Sequence, residues 1–391
     1  MGIVIESEVW EPKPSLYIFL LCSSLFSLIL LPYFTKNSNR TTGLFDPSGV
    51  PASFLRFQRS FLLIYSLVSV MEGLGSVFGE FEYASHGISR EQIVLSLCVG
   101  SAASLLIGSL LGILGDLIGQ KKVCLLFCVL HLFVGIWKRL TMHPCVWVAS
   151  ICLAVASSIF SFGFETWMVA EHEKLGHRQD FLSDTFWLMA FSESASHIGS
   201  QVLANWLADS SNEQRFDFPS TAVIFLATIC LIYVTREWKE SPNVSSIRSY
   251  KMSFSTIILG DKRVWLLAWA QACLQFSIMV IWILWAPTVV EIGVLVTLFC
   301  VFHACVGLIL PSLARLRTMY VPNELRGGMI NLSTAPANAA MVFVLIQGGY
   351  HRNFGNATIM AFAAFGLFSA AGCMHVLKKW GKQPHQNWHK L

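Results

Sequence analysis

Runs of about twenty mostly apolar residues alternate with short polar segments along almost the whole chain. Eleven such runs are distinguishable, at 16–34, 59–79, 93–114, 123–138, 146–165, 182–206, 219–235, 264–287, 293–312, 328–347 and 356–377. A helix needs roughly 20 apolar residues to cross a bilayer, so the pattern predicts an all-α, polytopic membrane protein with about 11 transmembrane helices. The run at 123–138 is short and gains its assignment from its neighbours. The first run is too long, and its flank of Glu6, Glu8 and Glu11 too acidic, for a cleaved signal peptide, which has a basic leading region. It predicts an uncleaved leading helix. The longest polar stretch, 236–263, carries Pro242, several serines and six basic residues, and predicts a linker on the cytoplasmic side.

Composition agrees with this class. Hydrophobic residues make up 54% of the chain and charged ones 13%, with a mean hydropathy of +0.60. A soluble domain carries about 25% charged residues, so this chain has too few to cover a water-facing surface. The 13 Trp and 27 Gly fit membrane helices and their interfacial belts. The 11 Cys lie mostly inside apolar runs, with neither CxxC spacing nor histidine neighbours, and read as buried free thiols rather than zinc ligands. No metal site and no cofactor is expected.

The basic residues set the orientation. With the N-terminus outside, 21 of the 27 Lys and Arg fall on cytoplasmic segments; only Lys13, Arg90, Lys138, Arg139, Arg215 and Arg352 fall outside. Positive charge is retained on the cytoplasmic side during insertion, so the C-terminus is expected there too. The plasma membrane is the expected location ahead of endomembranes. The net charge of +4 comes from these topogenic segments and implies no nucleic-acid partner. The chain has no phosphate-binding Gly-rich loop, dinucleotide fingerprint or nucleophile elbow, so no enzyme activity is expected.

Between the second and third core runs lies Gly112-Ile113-Leu114-Gly115-Asp116-Leu117-Ile118-Gly119-Gln120-Lys121-Lys122. Gly112 and Gly115 permit close helix approach, and Gly119 a tight turn. Asp116 suits the positive end of a neighbouring helix; Lys121 and Lys122 suit anionic headgroups or a partner carboxylate. The eleven residues resemble the signature of the major facilitator superfamily, G-x-L-x-D-x-x-G-x-K-K, in the place where that family carries it. The resemblance implies a gating loop and a two-half helical bundle. It implies a leading helix and connector over 1–56, a six-helix half over 57–235, a linker over 236–263, and an incomplete half with a cytoplasmic tail over 264–391. The family has a basic residue where Gln120 stands, so one charge pair is missing from the pattern.

A narrower resemblance rests on Ser53 to Gln58 and on Phe162 to His172, supported by Asp261-Lys262-Arg263-Val264 and Leu284-Trp285-Ala286-Pro287. These stretches resemble the molybdate-anion transporter family, a branch with an extra N-terminal helix. After Pro287 that family has two further helices; here Val289 to Ile292 leads straight into what resembles the tenth core helix. The chain thus resembles a form lacking helices eight and nine, which preserves the sidedness of the remaining loops. A naturally ten-helix core is the alternative.

Small residues recur every fourth position in three runs: Gly100, Ser104, Gly108, Gly112; Ser192, Ser196, Ser200, Ala204, Ala208; and Gly327, Asn331, Ala335, Ala339. Such stripes let membrane helices pack closely. In the resembled fold the second core helix meets the eleventh, which puts Asp116 near the helix start at Gly327. The fifth meets the eighth, so the second stripe lacks its expected partner.

Ionisable residues at membrane depth are costly and mark functional candidates. Glu72, Glu165, Glu193 and His197 are the candidates for a substrate or proton pathway, with Arg59 at the inner mouth and Trp167 as lining. The three glutamates stand equally open to structural pairing. His131 and His303 read as hydrogen-bonded packing residues. No Lys or Arg falls in the middle of any run, which is awkward for a dianion. The resemblance therefore implies a secondary transporter of a small anion, molybdate first, with proton coupling open. Transport of another small polar solute, or a truncated non-transporting scaffold, are the alternatives.

Overall fold

The computed structural model describes residues 51–85, 90–140, 145–177, 179–209, 218–239, 247–284, 292–350 and 356–381. The leading run at 16–34 and the junction at 285–291 lie outside them. Among the described residues the chain is helical and has no strand. The helices are α1 (Ala52–Ser85), α2 (Arg90–Ala103), α3 (Ser109–Ile118), α4 (Gln120–Leu140), α5 (Val146–Lys174) and α6 (Gln179–Asp209). They continue as α7 (Phe218–Glu237), α8 (Ile247–Ile257), α9 (Lys262–Leu284), α10 (Ile292–Tyr320), α11 (Arg326–Val344) and α12 (Asn356–Gly381). A π-helical stretch at Ser104–Gly108 joins α2 to α3 as one membrane-length rod. Seven of the described helices are long and apolar enough to cross a membrane.

Helix directions follow from side-chain contacts. On α1 and α6 the pairs Gln58–Thr185 (3.0 Å) and Tyr65–Glu193 (2.7 Å) come in the same chain order, so these helices run parallel. A Cβ placed on Gly73 would sit 3.0 Å from that of Ser200, extending the same zipper. By contrast, α9 and α12 pair Ser277 with Ala363 and Trp269 with Ser369, in reversed order, and run antiparallel. One end of the bundle gathers the α3–α4 turn, the C-terminal ends of α5, α7 and α10, the start of α11, and α8. Most of the described Lys and Arg lie at this end, which we call the basic face.

Burial is inverted relative to a soluble protein. Leu106, Leu110, Phe225, Phe365 and Phe368 are exposed, whereas Asp116, Arg317, Arg326 and Asn331 are buried. Apolar side chains meet lipid at no cost; polar ones must find each other inside. Aromatic packing fills the space between α1, α4, α5 and the end of α7, with the Trp167 and Trp238 rings stacked 3.5 Å apart.

Several expectations change. The eleven-residue turn is almost entirely helical: α3 runs to Ile118 and α4 begins at Gln120. The chain reverses at Gly119 alone, at φ 116° and ψ 135°, a region that excludes side chains. Two helices outrun their apolar stretches: α5 continues past 146–165 to Lys174, and α10 past 293–312 to Tyr320. The polar linker contains a helix, α8. The first small-residue stripe divides between two partners. Gly100, Ser104 and Gly108 face Ser150, Ala154 and Ser158 of α5, whereas Gly112 faces α11, where its Cβ would lie 2.7 Å from that of Asn331. The π turn supplies the rotation, since its extra residue shifts the helix face. The second stripe is not left without a partner: Ser200 packs on Gly73 of α1, and α6 also meets α10.

Candidate functional site

Buried polar groups concentrate in two places. The first is the basic-face junction, where helices distant in sequence meet. Asp116, only 1% exposed, ends α3 against the start of α11. Its Oδ1 accepts from the Gly327 N–H (3.1 Å) and the Gln120 amide (2.8 Å); its Oδ2 accepts from the Gly328 N–H (2.7 Å) and the Tyr250 hydroxyl (3.0 Å). The first N–H groups of a helix have no intrahelical acceptor and carry its positive end, and Asp116 fills both needs for α11. Gly112 and Gly327 make this possible, because a side chain on either would strike the other helix. Asn331 adds a hydrogen bond to the Gly108 carbonyl. Gln120 thus replaces a charge pair with a neutral hydrogen bond, and the guanidinium near Asp116 comes instead from Arg326.

Tyr250 brings the linker helix to the same carboxylate. Burial, and then the adjoining Asp116, hold its phenol above the ordinary range, so it serves as a donor. Lys121 turns toward backbone carbonyls. Its Nζ donates to the Thr235 (2.9 Å) and Trp238 (2.6 Å) carbonyls and caps the end of α7. Lys122 donates to the Ile118 carbonyl at 3.3 Å.

The junction continues into an ion cluster. Arg317 donates Nε to Glu165 Oε1 at 3.0 Å, Nη2 to Oε2, and Nη1 to Gln271 Oε1 at 2.6 Å. Arg326 places Nη1 3.7 Å from Glu165 Oε1 and donates Nη2 to Asn323 Oδ1 at 2.9 Å. Asn323 in turn donates to Glu173. Neither arginine was placed at depth by the hydropathy pattern, which left both in inner loops. Opposing Glu165 with Arg317 across 152 positions is invisible to any local window.

The second place lies among α1, α4 and α6. Glu72 faces His131 with Oε2 and Nε2 3.1 Å apart, so His131 is the partner of a pathway candidate. The Tyr65 hydroxyl donates to Glu193. His197 follows Glu193 by one turn, and its Nδ1 would lie 3.1 Å from a Cβ on Gly73. Two predicted residues are not brought to either place. Arg59 is exposed, because the adjacent Gln58 is turned inward to Thr185 and successive helical positions lie 100° apart. Trp167 is buried, with one ring face covered by Trp238. His303 has no described side chain, and among the described residues no His, Cys, Asp and Glu cluster suits a metal.

Comparison with known proteins names the class that this architecture defines. A family model of twelve-helix sugar transporters in the major facilitator superfamily matches residues 21–307. The chain belongs to the major facilitator superfamily, and is an integral, multi-pass membrane protein. It is similar to a molybdate-anion transporter of Xenopus laevis, 26% identical over 277 residues, covering 69% of this chain and 60% of the relative. It is also similar to one of Xenopus tropicalis, 28% identical over 242 residues, covering 61% and 53%. The chain therefore spans between half and two thirds of these relatives' length. A crystal structure of the human organic anion transporter MFSD10 (TETRAN) aligns with a TM-score of 0.49 and 13% identity, over 82% of this chain and 99% of that one.

Proposed function

We propose that the protein is a secondary transporter that moves a small anion, molybdate first, by alternating access between α1–α7 and α9–α12. The observation that carries this reading is the basic-face junction. Asp116 and Glu165, both in the N-terminal set of helices, bind the start of α11 and the end of α10 in the C-terminal set. These contacts join the two sets of helices by hydrogen bonds and an ion pair, so they close one entrance and are broken when the sets rock apart. With that face cytoplasmic, as the basic residues favour, the junction is an inner gate. Gly112, Gly115, Asp116, Gly119, Lys121 and Lys122 set its geometry. Glu72, Glu193 and His197 line the path beside it and carry any coupled proton.

Molybdate is favoured because it is what the relatives are named for. A second reading has a specific observation behind it. The chain covers only 60% and 53% of two such relatives, and its sequence after Pro287 resembles a form of that family lacking two helices. This form would then be a non-transporting membrane protein. Uptake of labelled molybdate, with sulfate as competitor, decides between them. Cells expressing this chain take up molybdate under the first reading. Uptake only by a form with the two helices restored supports the second, and uptake by neither sinks the molybdate assignment.

A further inference from the structure

The basic face also carries an open cleft of about 630 Å³, where the turn between α8 and α9 meets the C-terminal end of α12. Thr256, Gly260, Asp261, Lys262, Arg263 and Trp380 line it. All six belong to the linker or to the C-terminal set of helices, so the cleft does not span the two halves. Two cations, Lys262 and Arg263, stand against one acid, Asp261, which leaves the lining a net charge of +1. Asp261 is already committed in part, since its Oδ1 accepts the Arg263 N–H at 2.8 Å and caps α9. The Arg263 guanidinium lies 5.8 Å from the centre of the Tyr320 ring, a contact that holds the cation and leaves its N–H edge for an anion. The cleft lies at headgroup depth, because the apolar span of α9 begins at Lys262 and the apolar stretch of α12 ends at Leu377. Just inside it, α9 presents Trp265 and Trp269, one turn apart and 57% and 53% exposed. Their indole N–H groups are tied to the Leu259 carbonyl (3.0 Å) and the Ser369 hydroxyl (3.2 Å), which fixes the rings as interfacial tryptophans. On α8, between the apolar spans of α7 and α9, Ile247 and Met252 are 74% and 66% exposed. Met252 stands one turn before Thr256 on the same helix face, so this apolar surface adjoins the cleft. Acyl chains at the edge of a bilayer cover such a surface; water does not.

We infer that this cleft binds the headgroup of an anionic phospholipid. Its phosphate sits between Lys262 and Arg263, its glycerol region beside Trp380, and an acyl chain along Trp265 and Trp269. Guanidinium and ammonium groups are the usual partners of a phosphate at the membrane surface. The net charge of the lining matches one negative charge, which a zwitterionic lipid does not bring. A free phosphate ion would use the two cations, but it has no use for the two exposed indoles or for the apolar face of α8, so the membrane lipid is the occupant. The inference is independent of the transport reading and holds for either orientation of the chain. It also gives α8 a second anchor. Tyr250 ties this helix to Asp116 at 3.0 Å, and Thr256, six positions on, lines the cleft. A lipid seated there joins the linker helix to α9 and α12 at the end opposite its contact with the junction.

The test is native mass spectrometry of the full chain, released from detergent micelles holding equal amounts of phosphatidylglycerol and phosphatidylcholine with the same acyl chains. The wild-type chain is expected to retain phosphatidylglycerol about ten-fold over phosphatidylcholine. Lys262→Gln/Arg263→Gln is expected to abolish that preference. Arg56→Gln/Arg315→Gln makes the same change of charge at two exposed positions elsewhere on the basic face, and should keep the preference within about two-fold. Lys262→Gln alone, a change at an exposed position, should lower the preference about three-fold and replaces the double variant if that one does not fold. Sodium phosphate at the lipid's concentration should leave retention unchanged. Equal retention of the two lipids by the wild-type chain overturns the site. An equal loss in both double variants overturns it too, because the attraction is then diffuse surface charge, as does an unchanged preference in Lys262→Gln. Displacement by inorganic phosphate makes the cleft a free-anion site and overturns the lipid assignment. None of these readouts measures uptake, so a failure of the transport reading leaves them as they are.

Discussion

The basic-face junction and the acidic cluster among α1, α4 and α6 use the same residue types for different ends. In the acidic cluster each carboxylate has a near partner within one set of packed helices, Glu72 with His131 and Glu193 with Tyr65. In the junction every carboxylate ties helices from opposite ends of the chain, and one of them serves two arginines. A buried polar pair inside one rigid block can be structural or a proton relay, but it cannot report the motion of that block. A buried polar pair between blocks must break whenever they separate. The place of the partner, more than the chemistry of the pair, therefore distinguishes a gate from a lining.

The sharpest way to break this comparison is to remove the shared anion of the junction. Glu165→Ala leaves two buried guanidiniums without their carboxylate, and losing one partner of a buried pair costs about 3–5 kcal/mol. Thermal unfolding in detergent is expected to show the largest loss among these variants, and a stability equal to wild type would mean that the cluster is solvated. Next in size is Gly112→Val. A branched side chain at the α3–α11 contact pushes the helices apart, so turnover is expected to fall by an order of magnitude while the fold persists. Unaltered uptake would show that the close approach is dispensable.

The acidic cluster is expected to respond differently. Glu72→Gln keeps a hydrogen-bonding oxygen beside His131 and should cost less than about 1.5 kcal/mol. If Glu72 carries the coupled proton, wild-type uptake varies with external pH and the variant's does not. A parallel pH profile in both would assign Glu72 to packing. Smallest is Tyr250→Phe, which removes one neutral donor from Asp116, worth about 1 kcal/mol. Its effect should appear as a few-fold slower turnover, and no change would detach the linker helix from the gate.

Much of this architecture is legible in the order of apolar and polar residues. Apart from α8, the described helices overlap the runs that predict them, and the small-residue stripes lead Asp116 to Gly327 because steric fit at a glycine is a local property. What escaped detection is charge satisfied at a distance. Ser312, Arg315 and Arg317 end a hydropathy window, yet α10 continues through them, because Arg317 finds Glu165 on a helix 152 positions earlier. His131, read as a hydrogen-bonded packing residue, is indeed buried and hydrogen-bonded, but the identity of its partner, a carboxylate 59 positions away, is not visible locally. Windows price each charge as if alone, whereas the fold prices the pair. Helix phase, which residue type alone does not reveal, buries Trp167 and leaves Arg59 exposed.

The account stands or falls on whether Asp116 holds a gate. The most direct measurement is the initial rate of sulfate-competed molybdate uptake, over a range of molybdate concentrations, in cells expressing equal amounts of the wild-type chain and of Asp116→Ala. A gate residue that never touches substrate should lower the maximal rate at least ten-fold and leave KM within about two-fold. A maximal rate equal to wild type would contradict the account, because the α3–α11 junction would then be free of the transport cycle.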